Sequence, residues 1–206
     1  MERARAAGQR LAERHAGTPA PDTDSTRSLV NYAESPRADD WSLRSALVRL
    51  AQSQPQLVAD LLTRVRRLDA VLHHVARPLE RHTVTCDRAV TIDNVDGPPI
   101  DPYSDTRTAD LVRLAASAGE DGHVVVEAYL DAVDLTPEER AAAPLLEIAL
   151  GFDRLAEELV AWARVAPAPA PVEAVEATID AAQRRLDELG VPVEEGPPPG
   201  RGRRSR

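Results

Sequence analysis

The apolar positions of this chain recur mostly at steps of three and four, the spacing of one helix face rather than the alternation of a strand. Residues 2 to 16 form a first such stretch of Ala, Arg, Glu and Leu, broken by Gly17, Pro19 and Pro21. Apolar residues at 43, 47 and 50 predict a second helix over Trp41 to Gln52. Pro55 opens a longer one, in which Val58, Leu61, Leu62, Val65, Leu68, Leu72 and Val75 share a face. Arg64, Arg66, Arg67 and Asp69 take the intervening positions, and Pro78 ends the run.

The pattern then changes. Between Thr83 and Asp93 it alternates and favours β-branched residues (Val84, Val90, Thr91, Ile92), which predicts one short hairpin or strand pair. A turn-rich stretch to Asp105 follows, with Gly97, Pro98, Pro99 and Pro102. Helical spacing returns over 105–118 and 121–134, separated by Gly119 and Gly122. Thr136-Pro137-Glu138-Glu139 joins a hydroxyl cap, a first-turn Pro and a Glu into a capping box. The helix it starts presents Leu145, Ile148, Phe152, Leu155, Leu159 and Trp162 to a core, with Pro144 inside the run expected to bend it.

The expected class is therefore mainly α, a helical bundle with one short β-hairpin. It divides into an N-terminal helix at 1–17, a Pro/Asp/Ser/Thr-rich loop at 18–40 and a helical domain at 41–165. An extended Ala-Pro linker at 166–171, a C-terminal helix at 172–190 and a disordered tail at 191–206 complete it.

Composition narrows the chemistry. Aromatic residues are only 3% of the 206, with Phe152 the single Phe, so Leu, Val and Ala must build the core. The net charge of −9 argues against a general nucleic-acid or anionic-membrane binder, which needs a basic surface to displace counterions. The terminal Arg201, Arg203, Arg204 and Arg206 are a local exception read as a solubilising tail. All 25 basic residues are Arg, which excludes any mechanism that needs a Lys on this chain. The single Cys86 makes no intramolecular disulfide, and no run approaches a membrane span, so a cytoplasmic location is expected.

Several of these pieces, in this order, resemble the C-terminal lobe of the aminoglycoside phosphotransferase family, a relative of the protein kinase fold. Ala7-Gly8-Gln9-Arg10-Leu11-Ala12-Glu13-Arg14-His15-Ala16 is similar to the helix after that family's interlobe hinge. Val90-Thr91-Ile92-Asp93-Asn94-Val95-Asp96 resembles the strand that carries its metal-binding Asp, and Asp101-Pro102-Tyr103-Ser104-Asp105 the stretch that opens its next helix. Leu135 to Arg140, with Pro144-Leu145-Leu146, looks like the family's late helix entry. The resemblance spans roughly residues 4 to 163 and implies a metal role for Asp93.

The departures from the family are chemical. Its nucleotide-clamping N-terminal lobe and Lys would precede residue 1. Its catalytic loop, His-Gly-Asp-x-x-x-x-Asn, fits in neither available register. With His82 as its His, the base position is Val84 and the Asn position Ala89; with Asp87 as base, the His position is Thr85 and the Asn position Ile92. Phosphoryl transfer depends on cradled phosphates, a held metal and an oriented hydroxyl, which Asp93 alone does not assemble. A non-catalytic pseudoenzyme is expected, with no cofactor, acting as a scaffold or binding protein. An independent helical interaction domain, or half of a split phosphotransferase, are the alternatives.

Loss of the other lobe would uncover Leu11, Val90 and Ile92, so a protein partner or a second copy of the chain is expected to cover them. Two other constellations carry less. Asp93, Asp96, Asp101 and Asp105 miss the EF-hand pattern because Val95 stands at the third position, leaving turn and cap duty. His73, His74, His82 and Cys86 are all zinc-ligand types, but adjacent His on a helix diverge and no paired spacing supports them.

Overall fold

A computed structural model describes residues 1–17, 41–79, 83–165 and 168–191. The expected loop at 18–40 and nearly all of the tail lie outside these. Among the described residues the protein is mainly helical: α1 (Glu2–Gly17), α2 (Trp41–Ala51), α3 (Pro55–Leu79), α4 (Arg107–Ser117), α5 (Gly122–Leu130), α6 (Pro137–Arg164) and α7 (Val172–Glu188). One antiparallel pair joins β1 (Thr83–Asp87) to β2 (Pro102–Thr106), in the register Thr83↔Thr106 and Asp87↔Pro102.

Helix α4 is the common wall of two apolar cores. Its Ala109 and Val112 join Leu50, Leu68, Leu72, Leu146, Phe152, Leu159 and Leu186 in the larger one, built from α2, α3, α6 and α7. Its Leu111 and Leu114 face the smaller one, with Leu11 of α1 and Val125 and Tyr129 of α5. Being covered on two sides, α4 is buried continuously from Thr108 to Leu114. Each buried Leu or Phe of this kind contributes about 1.5–3 kcal/mol. Helices α1 and α5 cross closely because of Gly8, where a Cβ would press into the Val125 carbonyl and the Ala128 side chain.

The periodic segments form helices near where their spacing places them, although α5 stops at Leu130 and α3 runs one residue past Pro78, and the capping box at Thr136 is complete. Its hydroxyl accepts the Glu139 N–H at 3.2 Å and the Glu139 carboxylate accepts the Thr136 N–H at 2.8 Å. Pro144 sits inside one continuous helix, α6. The expected Ala-Pro linker is tied back where it is described: Trp162 Nε1 donates to the Ala168 carbonyl at 3.1 Å.

Three expectations are corrected. The partner of β1 is not the β-branched Val90-Thr91-Ile92 but Pro102–Thr106, and residues 92–96 form turns. Asn94 explains why: its side chain accepts the Thr91 N–H at 2.8 Å and donates to the Ala89 carbonyl at 2.7 Å, taking backbone groups a strand ladder would need. Asp101 to Asp105 accordingly runs into strand β2, and the helix begins at Arg107. Finally, Leu11 and Val90 are not uncovered. They are 0% and 3% exposed, because α5 covers α1 and the loop at 88–101 turns Val90 and Val95 into the smaller core, against which Ile92 is partly buried.

Candidate functional site

The polar groups gather where β1 ends against α1 and α4. Strand β1 delivers Cys86 and Asp87, α4 delivers Asp110 and Arg113, the last turn of α1 delivers Arg14 and His15, and α5 delivers Tyr129. Asp87 is fully buried, and backbone donors take up both its oxygens. Oδ1 accepts the N–H groups of Ala89 at 3.0 Å and Asp101 at 2.9 Å, and Oδ2 accepts that of Ile100 at 3.1 Å. The Arg14 guanidinium lies 3.9 Å from the same carboxylate and also donates to the carbonyls of Val95 at 2.7 Å and Gly97 at 2.9 Å. Asp87 and Arg14 together clasp both ends and the middle of the loop at 88–101.

Asp110 holds this clasp from beneath. Its carboxylate, 0% exposed, accepts the Asp87 N–H at 3.0 and 3.1 Å. His15 Nε2 lies 3.4 Å from Asp110 Oδ2, and its Nδ1 is 2.7 Å from the Tyr129 hydroxyl. The Tyr129 ring meets the imidazole edge-on at 5.7 Å between centroids, so the ring plane of His15 is fixed. Beside them the Cys86 thiol donates to the Thr106 carbonyl at 3.4 Å.

Burial is the main influence on the thiol and the two phenol hydroxyls here. It pushes the Cys86 thiol well above its ordinary range, reinforced by the Asp110 and Asp105 carboxylates. Burial likewise raises the hydroxyls of Tyr103 and Tyr129. Desolvation works against the buried Arg113 cation, but Tyr103, Asp105 and Asp110 outweigh it and the group is held more firmly protonated. Arg113 donates to the Tyr103 hydroxyl, while Arg88 stacks over the Tyr103 ring at 4.3 Å and pairs with Asp101 at 3.2 Å.

Next to the cluster lies a cleft of about 650 Å³, open to solvent, between the loop start and α6. Arg88, Thr91, Asp101, Arg113, Arg154 and Arg164 are among its lining residues. Arg154 and Arg164 make no ion pair among the described residues.

The four aspartates of the turn region do not converge. Asp93 is 72% exposed and ion-paired to Arg3, and Asp96 pairs with Arg10 at 3.2 Å. Asp101 pairs with Arg88, while Asp105 is buried with Oδ1 on the Thr106 N–H at 2.8 Å. The metal-ligand types that do gather, among the described residues, are His15, Cys86 and Asp110, whose ligand atoms all lie within 4.8 Å of one another. The sequence placed Cys86 beside His73, His74 and His82; its histidine neighbour in space is His15, which no local spacing reveals. His82 and the side chains of His73 and His74 are outside the described residues.

Among the described residues no helix is long and apolar enough to cross a membrane. Comparison with protein-family models, with curated proteins and with solved structures gives no match for the chain.

Proposed function

We propose that this chain is a non-catalytic binding or scaffold protein with the organisation of an aminoglycoside-phosphotransferase-like C-terminal lobe. The observation that carries the reading is the state of Asp87. It is the one acid that a register of the family's catalytic loop offers as a base, and here three backbone N–H groups and Arg14 occupy it. A general base must reach the proton it removes, and a buried carboxylate with both oxygens engaged does not. Asp93, the metal ligand that the resemblance implies, faces solvent and is ion-paired to Arg3.

The binding role rests on the cleft beside the loop. Arg154 and Arg164 make no ion pair among the described residues, and Asp101, Asp153 and Glu157 line the same cleft, so this face offers a partner charges of both signs. A protein partner engages the protein here, a second copy being the simplest. The two closed cores also support the reading of an independent helical interaction domain, since Leu11 and Val90 are already covered without a second lobe.

The test is phosphoryl transfer from labelled ATP, with Mg²⁺, to a panel of aminoglycosides. No labelled product above the rate without protein is expected. Labelled aminoglycoside that is lost with Asp87→Asn would overturn the non-catalytic reading. Light scattering across a concentration series, repeated with Arg154→Glu and Arg164→Glu, tests self-association at the cleft: a mass that rises with concentration in the parent and not in the variants supports it. A strictly monomeric parent removes the second copy as the partner.

A further inference from the structure

We propose that His15, Cys86 and Asp110 form a buried zinc site that staples α1, β1 and α4 together. The three donors are an imidazole nitrogen, a thiol sulfur and a carboxylate oxygen, the set that zinc accepts in a tetrahedral site. Their ligand atoms already lie within 4.8 Å of one another with no exposed side chain among them. Zinc bonds of about 2.0–2.3 Å place tetrahedral donors about 3.5 Å apart, so the site closes on the ion by about 1 Å, a shift within reach of rotamer adjustment. The site is distinct from Asp93 and independent of the proposed binding function.

Three further features fit an ion at this position. A zinc-bound imidazole usually gives its second ring nitrogen to an outer partner that fixes its orientation, and His15 has one: Nδ1 is held by Tyr129 at 2.7 Å, which turns Nε2 toward Asp110. The Asp87 N–H braces the Asp110 carboxylate in the same way. One thiolate and one carboxylate match the charge of Zn²⁺, while Arg113, 4.0 Å from the Asp110 carboxylate, keeps Asp105 as a further counter-charge. Binding replaces the thiol proton of Cys86 by the metal and releases that proton to solvent, together with a second one from any His15 that is protonated. The thiol loses only its weak 3.4 Å contact to the Thr106 carbonyl.

The experiment is a cobalt titration of the full chain after dialysis against a chelator. Cys86 is the single cysteine, so a thiolate-to-cobalt charge-transfer band reports this site alone. The expected result is a band that saturates at one equivalent of Co²⁺ and is abolished by one equivalent of Zn²⁺. It should be absent in Cys86→Ala, and Tyr129→Phe should weaken binding about 10- to 100-fold through loss of the outer hydrogen bond. Because the band is read on the unaltered protein, the test does not depend on any variant folding. Cobalt that binds without a charge-transfer band, or no binding at micromolar metal, overturns the proposal.

Discussion

Replacing Asp87 by Ala should open the loop at 88–101 while leaving the helices in place. The carboxylate accepts three backbone N–H groups at 2.9–3.1 Å and sits 3.9 Å from Arg14. Its removal strands those donors and an arginine whose side chain is 8% exposed. Each unsatisfied buried donor costs about 1–3 kcal/mol, less where water can enter, and breaking a buried ion pair on one side costs about 3–5 kcal/mol. The three donors are only partly buried, so the expected total is about 3–5 kcal/mol rather than the sum. At a slope of about 2 kcal/mol per molar, the urea midpoint should fall by about 2 M. Asp87→Asn keeps one carbonyl acceptor and should lose about half as much. Hydrogen exchange supplies the local readout: the amides of Ile100 and Asp101 should lose protection in Asp87→Ala well before those of α6. An unchanged midpoint with unchanged protection at Ile100 and Asp101 would refute the clasp.

Other expectations are separable from this one. Asp69 on α3 is raised by burial to about 6, and its Oδ1 is buried without a partner among the described residues; a folded value above the ordinary 3.8 means that ionisation destabilises the fold. That penalty is absent below about pH 4, develops between pH 4 and 6 and is full above it, so Asp69→Asn should stabilise by about 1 kcal/mol at pH 8, allowing for its partial exposure, and by nothing at pH 3.5. Thr136→Ala should cost about 1 kcal/mol in chemical melts through loss of the cap on Glu139. Burial alone would raise Glu139, but hydrogen bonds from Arg107 and Thr136 hold it below its ordinary 4.5. Its contribution should therefore be complete above about pH 4.5 and disappear only as the pH falls through that lower value, as melts of Glu139→Gln against the parent would reveal. Phe152→Ala, at 3% exposure in the larger core, should cost about 3–5 kcal/mol, and a parent-like melt would place Phe152 outside that core.

The helix faces were legible because their signal is local. Val58 to Leu72 and Leu145 to Leu159 carry their own period, and Thr136 to Glu139 spell out a cap within four residues. What was hidden depends on contacts between distant segments. Strand β1 finds its partner beyond the loop at 88–101, and the choice of Pro102–Thr106 over the more β-prone Val90–Ile92 turns on where Asn94 and Asp87 spend their hydrogen bonds. The cluster of His15, Cys86 and Asp110 comes from three elements, and its members look unremarkable in sequence. Arg67 takes a position between the apolar ones, yet it reaches across to the Val191 carbonyl and to Asp187 at 3.3 Å, because α7 packs against that side of α3. A helical period shows which residues share a face; it does not show what arrives to cover the polar one.

The claim that this protein is a lobe without phosphotransfer chemistry is met most directly by a thermal melt with and without ATP and Mg²⁺. A nucleotide present at a hundred times its dissociation constant adds about 2.7 kcal/mol, which for a chain of this size raises the melting temperature by about 5–10 °C. The account predicts superimposable melts at millimolar ATP and Mg²⁺. A clear rise that disappears when Mg²⁺ is left out would contradict it.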